Sequence, residues 1–326
     1  AFESRLTSDL TSPARSCYIS TMKALIQTGS SLSACGHAQA GGRVPVPLKS
    51  DFLSMFQRPL IFGIVNITPD SFSDGGRYFA ADAAIAHAKR LVADGADVID
   101  LGPASSNPDA IPVPAEEEIR RLAPVIEALG AEGYSLSVDS FRAETHAFAL
   151  AHGVHYLNDI RGFAEADFYP VLAKSEAKLV LMHSIQRHGN ADRRDTPEGD
   201  IIEQICSFFE ERIAALEAAG IARERLILDP GMGFFLGPQP ETSFEVLARI
   251  DEIEARFALP VFISVSRKSF LRAVTGRAPE EAGAATLAAE LLAARAGARF
   301  IRTHEPAPLI DALAVLACFE TPGSAL

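Results

Sequence analysis

Cysteine is scarce: Cys17, Cys35, Cys206 and Cys318 are the only four in 326 residues, widely separated and without a C-x-x-C spacing. That pattern gives no basis for a thiolate metal site or a disulfide framework, and it agrees with a reducing cytoplasm. Apolar runs of membrane-spanning length are also missing, so no membrane association is expected. Positive charge is in deficit, with a formal net charge of −12 at pH 7, and general affinity for nucleic acid or anionic lipid is not expected. An anionic substrate would need a local basic pocket. No His-x-His pair and no carboxylate cluster marks a metal held wholly by protein ligands.

Residues 1–55 lack sustained apolar periodicity. They are rich in Ser, Thr and Gly and poor in acid, and they read as a poorly structured extension. The stretch "STMKALIQTGSSLSACGHAQAGG" has some features of a secretory signal or transit peptide. Its apolar part is short, however, and is interrupted by Gln27 and Thr28. The folded domain is expected over residues 56–326.

From Leu60 onward the pattern is rhythmic. Short apolar runs recur as "LIFGIVNIT" (60–68), "DVIDLG" (97–102), "YSLSVDS" (134–140), "YLNDI" (156–160), "AKLVLMH" (177–183), "RLILDPG" (225–231), "VFISVS" (261–266) and "ARFIRTH" (298–304). Between most of them lie stretches with helical spacing, such as "AAIAHAKRLVADGA" and "IIEQICSFFEERIAALEAAG". Strand–helix alternation implies a parallel sheet. Eight such units predict an α/β fold closed as a (β/α)8 TIM barrel. A doubly wound open sheet is the alternative.

Each run is apolar in its body and polar at its end. The ends carry Asn66, Gly102 leading to Ser105 and Ser106, Asp139, Asn158, His183, Asp229, Ser266-Arg267-Lys268, and Arg302 with His304. One strand-end aspartate is more often a turn or cap residue than a catalytic one. Eight strands ending this way in a barrel place all of these groups on the face where active sites are built. Arg267, Lys268, Arg302 and His304 supply donors suited to an anion such as phosphate. Asp139, Asn158 and Asp229 form an acceptor-rich floor able to receive the N–H fork of a 2-amino-heterocycle.

The motifs "GIVNITPDSFSDGG", "LNDI", "LILDPGMGF", "SVSRKSF" and "IRTH" together resemble dihydropteroate synthase, from about Leu60 to Cys318. The resemblance implies a transferase joining 6-hydroxymethyl-7,8-dihydropterin diphosphate to p-aminobenzoate, with Mg²⁺ as cofactor, pyrophosphate as leaving group and a homodimer as a common assembly. Carried over by motif, Asn66 is expected to contact Mg²⁺ and diphosphate. Asp139, Asn158, Asp229 and Lys268 are expected at the pterin edge, and Arg302 and His304 at the diphosphate, with Arg302 also against the pterin face. Ser106 is expected as a further diphosphate contact, and Thr68, Pro69, Phe234, Phe235 and Ser269 are assigned to p-aminobenzoate. The segment "TPDSFSDGG" is then a lid, with Gly75-Gly76 permitting its movement.

Two segments depart from the usual family pattern. "GPASSNPDA" (102–110) stands where G-G-E-S-T-R-P-G is usual, so Asn107 replaces an arginine and a bidentate cation is lost. "DPGMGFFLGPQPETS" is longer than usual and carries an added aromatic, taken as Phe235. With "SRKSFLR", both features resemble the sulfonamide-insensitive branch. A pterin-binding methyltransferase domain and a non-catalytic pterin-binding homologue are the rival readings. The first has no use for "SRKS" and "IRTH", and the second none for Asn66, Lys268, Arg302 and His304.

Overall fold

All eight apolar runs form strands in the computed structural model, which describes residues 58–68, 77–105, 111–186, 197 and 199–320. Strands β1 (Leu60–Asn66), β2 (Val98–Gly102), β3 (Leu136–Asp139), β4 (Tyr156–Asp159), β5 (Lys178–Met182), β6 (Leu226–Asp229), β7 (Phe262–Ile263) and β8 (Phe300–Thr303) are parallel. Their order is β6-β5-β4-β3-β2-β1-β8-β7. A parallel bridge between Leu228 and Val261, with the Leu228 amide donating to the Pro260 carbonyl at 2.9 Å, joins β6 to the residue before β7, the two ends of that order, and closes the barrel. The open-sheet alternative is thereby excluded.

Helices cover the outside: α1 (Arg77–Ala93), α2 (Ala115–Ala131), α3 (Ala143–Ala151), α4 (Tyr169–Leu172), α5 (Ile201–Ala218), α6 (Pro240–Ala248), α7 (Ile250–Phe257), α8 (Ser269–Thr275), α9 (Gly283–Arg295) and α10 (Pro306–Glu320). Helix α5 shows how local sequence sets such an element. The Asp200 carboxylate caps it by accepting from the amides of Ile202 (2.8 Å) and Glu203 (3.4 Å). Ile202, Ile205, Phe209, Ile213 and Leu216 then recur at helical spacing and bury one face against the barrel.

Side chains alternate between the lumen and the helical layer, as the strand period of two requires. Phe62, Val98, Val180, Ile227, Phe262 and Phe300, with Tyr156 against them, fill the lumen toward the strand starts. Edge-to-face contacts of Phe62 with Tyr156 (5.0 Å) and Phe262 (5.1 Å) set the centre of this plug. Two residues farther along the same inward rows the chemistry changes. Register pairs Asp100 with Ser137 and Asp139 with Asn158, so neighbouring strands present polar groups side by side above the apolar plug. The plug fixes the depth of the polar floor, because no side chain can sink below it.

Candidate active site

The polar rows converge at the strand ends. Arg302, on β8, spans the lumen to two carboxylates: its Nε donates to Asp100 at 2.5 Å and its Nη2 to Asp139 at 2.8 Å. Asp100 is fully buried and the Arg302 side chain is 14% exposed, so both ions are paired out of water. Held at two of its edges, the guanidinium keeps a fixed plane. Burial pushes the Asp139 carboxyl up to about 6, against the opposing pull of Arg302.

Asp229 ends β6 and is 2% exposed. One of its oxygens accepts from the Gly231 amide at 2.8 Å. Burial raises its carboxyl to about 6, opposed by that hydrogen bond and by the positive charges of Lys268 and Arg302. Lys268 shows the mirror effect: burial lowers its ammonium to about 8, and Asp229 pulls it back up. Asn158 is 4% exposed, and its Oδ1 has no hydrogen-bond partner among the described residues. A buried amide oxygen of this kind calls for a donor. The three expected floor residues and Lys268 therefore do meet in one lumen, with Arg302 across it.

The "DPGMG" turn shapes the next wall. Gly231 has φ +76°, and a Cβ there would lie 2.3 Å from the His183 carbonyl, so only glycine fits. Gly233 has φ +66° and lies against the Ser269 hydroxyl, which brings the β6 loop onto the loop after β7. That second loop holds Arg267 at φ 60°, uncommon for a non-glycine residue, with its amide donating to Thr286 of α9 at 3.0 Å. Arg267 also pairs with Glu305 at 3.5 Å.

His304 follows β8. Its Nδ1 lies 2.8 Å from the Ser266 hydroxyl, which also accepts from the His304 amide at 3.3 Å. Burial, with Arg267 and Arg302 nearby, lowers the imidazole to about 3, so the ring is neutral. If Ser266 donates to Nδ1, the proton sits on Nε2, where it can be donated outward. Asn66 stands exposed at the end of β1, with its amide oxygen beside Gly102. Thr68 is half-buried just beyond it.

Phe234 and Phe235 differ in burial. Phe235 is 5% exposed, packs with Ile160 and Met182, and lies under Lys268, whose Nζ is 4.9 Å from the ring centroid. Phe234 instead is half-buried and lines a groove of about 240 Å³ with Ser269. Both aromatics are expected in the amine pocket, and the Phe235 part of that expectation is corrected: in the 3-10 turn Gly233–Leu236 its ring is buried in the Ile160–Met182 cluster, while Phe234 lies against that cluster and lines the groove. Helix α8 has only seven residues, so Ser269 contributes through its hydroxyl more than through a helix dipole. His183, another strand-end candidate, is 2% exposed, with Nδ1 3.1 Å from the Pro230 carbonyl, and serves the wall. Pro69, Ser106, Asn107, the lid segment from Pro69 to Gly76 and residues 1–55 lie outside the described residues.

Asp100 was missed from the sequence, where it reads as the body of an apolar run; a carboxylate inside a buried parallel strand was the available signal. A second missed group lies behind the floor. Glu118 of α2 is 1% exposed and accepts from Ser140 at 2.6 Å and Thr145 at 2.7 Å. The Ser140 amide donates to the Asn158 carbonyl at 3.0 Å. Asp139 and Asn158 are thus tied to the helical layer and to each other by one buried network.

Comparison with known proteins agrees with this geometry. The family model described as "Pterin binding enzyme" matches residues 62–304. Dihydropteroate synthase type-2 of Escherichia coli is 68% identical over 261 residues, spanning 80% of this chain and 96% of the relative. The type-3 enzyme of Escherichia coli is 56% identical over 255 residues, spanning 78% of this chain and 97% of the relative. A structure of Xanthomonas albilineans dihydropteroate synthase with 4-aminobenzoic acid superposes with a TM-score of 0.74 at 38% identity, covering 82% of this chain and 95% of that one. The same enzyme in complex with 7,8-dihydropteroate gives 0.72 at 38% identity, covering 82% and 96%. The chain belongs to the pterin-binding enzyme family and, within it, is a dihydropteroate synthase.

Proposed function

We propose that the lumen holds the pterin of the pterin diphosphate edge-on against Asp139, Asn158, Asp229 and Lys268, with Arg302 across its face. The observation that carries this reading is the buried set itself. Ionised Asp229 accepts, Lys268 donates, and Asn158 Oδ1 has an unmet need for a donor in the same lumen. A 2-amino-4-oxo heterocycle supplies the complementary edge. Asn66, His304 and the outer edge of Arg302 then face the diphosphate. Neutral His304 donates through Nε2, and the approaching anion favours its protonation.

For Mg²⁺, no group of three or more His, Cys, Asp or Glu able to hold a metal exists among the described residues. One exposed amide oxygen on Asn66 fits an ion that keeps most of its ligands as water and substrate phosphate oxygens. Bound there, the ion would supply charge neutralisation on the diphosphate. The chain's own residues do the rest. Arg302 and His304 donate to the departing oxygens, and the electron-rich pterin stabilises the methylene cation left behind. The aniline nitrogen of p-aminobenzoate then attacks from the groove at Phe234 and Ser269, with Thr68 assigned to the same substrate by motif, and the proton it sheds passes to solvent or to the released pyrophosphate. Nothing in this sequence requires a strong general base. Residence in the cytoplasm is inferred from cysteine usage; no helix among the described residues is long and apolar enough to cross a membrane.

Release of pyrophosphate that depends on both substrates tests the reading, and a methyltransferase or inert homologue would release none. The pH dependence follows from the shifted groups. Asp139 and Asp229 must be ionised, and both are raised to about 6, so kcat/KM for the pterin should fall as pH drops through that value. Lys268 must be protonated and is lowered to about 8, so the rate should also fall as pH rises through 8. A profile flat from pH 5 to 9 would contradict these roles.

Reduced sulfonamide sensitivity belongs to the same proposal. Phe234 lines the outer groove, where a compact carboxylate clears a rigid ring and a sulfonamide's N-substituent meets it. A clash of about 1–3 kcal/mol corresponds to roughly one to two decades in affinity. Phe234→Gly should therefore tighten sulfonamide inhibition by about that factor, with little change in KM for p-aminobenzoate. Parallel shifts in both constants would show that Phe234 only packs.

A further inference from the structure

The groove beside Ser269 contains a cation that the reading above leaves unused. Phe234, Pro238, Gln239, Ser269, Phe270 and Arg272 line it. Arg272 lies three residues after Ser269 on α8, so the two side chains share one face of the helix. Its Nε is buried and has no hydrogen-bond partner among the described residues. The Arg272 backbone is fully engaged, since its amide donates to Lys268 and its carbonyl accepts from Gly276. Arg142, Arg161 and Arg267 also leave Nε without a hydrogen bond, but each pairs with a carboxylate, Glu118, Glu165 and Glu305 in turn, whereas Arg272 has no ion pair among the described residues. A half-buried guanidinium with a buried, unpaired N–H in a groove lined by aromatic and proline side chains is a receptor for a planar anion.

We propose that Arg272 is a specificity-determining residue that recognises the carboxylate of the arylamine substrate at the outer end of this groove. The inference rests on the assignment of p-aminobenzoate to the Phe234–Ser269 groove. Ser269 donates to one carboxylate oxygen, and the guanidinium fork of Arg272 engages the carboxylate from the side away from the pterin. The two coplanar oxygens of a carboxylate match two parallel N–H groups. A sulfonamide presents a tetrahedral sulfur, with its oxygens out of the ring plane and its N-substituent directed toward Phe234. Arg272 thus rewards the carboxylate while Phe234 obstructs its mimic, so the two residues select in the same direction by separate means.

The test is a cycle of two enzymes and two substrates. Purified wild type and Arg272→Ala are each assayed with p-aminobenzoate and with the neutral 4-aminobenzamide, at saturating pterin diphosphate and Mg²⁺. Wild type should prefer the acid, and Arg272→Ala should reduce the acid-to-amide ratio of kcat/KM by about tenfold, roughly the contribution of one charge-assisted hydrogen bond. KM for the pterin should not move, because Arg272 lies outside the lumen. Arg272→Lys, which keeps the charge and loses the fork, should recover only part of the ratio. A general loss of structure would lower turnover of acid and amide alike and leave the ratio unchanged, and an unchanged ratio overturns the proposal. Ser269→Ala separates the underlying assignment. If it leaves the KM for p-aminobenzoate unaltered, the groove is not the arylamine site. If it raises that KM while Arg272→Ala leaves the ratio intact, only the role of Arg272 fails.

Discussion

Asp229→Asn is expected to lower kcat/KM for the pterin diphosphate by about two to three orders of magnitude while the barrel stays folded. The residue sits at a strand end above the apolar plug, so its side chain contributes little to packing. Its ionised carboxylate faces a lysine whose own charge is weakened by burial. The amide replacement removes that charge and turns one of two acceptor atoms into a donor. Loss of a charge-assisted hydrogen bond, with a donor left unpaired against the substrate, costs about 3–4 kcal/mol, which is roughly the stated factor. Lys268→Ala should act with similar size from the opposite side, since it removes the donor and leaves Asp229 buried without its cation. Calorimetry with the pterin checks both. Near-normal pterin affinity in either variant would remove these residues from the site.

Arg302→Lys should cost about a hundredfold in turnover, although the charge is kept. The guanidinium is held at two edges, by Asp100 through Nε and by Asp139 through Nη2. An ammonium cannot reach both carboxylates while facing the diphosphate, and it presents no flat surface to the pterin. Losing one of two charge-assisted contacts in a desolvated site is worth about 2–3 kcal/mol. Asp100→Asn should give a milder defect of the same kind, because Asp139 still holds Nη2. The comparison is informative in steady-state kinetics. If Asp100→Asn is silent while Arg302→Lys is severe, the buried pair does not orient the arginine.

How far the sequence led depended on whether a property was local. Strand existence was legible because each apolar run ends in polar groups, and a run such as "YSLSVDS" announces both its body and the lumen-facing Asp139. The convergence of Asn66, Asp139, Asn158, Asp229, Lys268, Arg302 and His304 followed from barrel geometry once eight units were counted. Asp100 was not legible, because its meaning depends on Arg302, which is 202 residues away in the chain. The Glu118–Ser140–Thr145 network has the same character, joining α2 to the loop after β3 through contacts that no spacing rule describes. Phe234 and Phe235 show a third limit. Two adjacent aromatics give no local sign of which is buried, and only their packing shows it: Phe235 is enclosed with Ile160 and Met182, while Phe234 rests against that cluster and reaches the groove.

The pterin-edge assignment is tested most directly by a crystal structure of the enzyme with pterin diphosphate, Mg²⁺ and p-aminobenzoate. The pterin edge should lie within hydrogen-bond distance of Asp139, Asn158, Asp229 and Lys268, with the Arg302 plane over the ring and Asn66 and His304 at the diphosphate. The carboxylate of p-aminobenzoate should meet Ser269 and Arg272 beside Phe234. A pterin bound with its amino edge turned away from Asp229 and Asn158, or seated outside the lumen, would contradict the account.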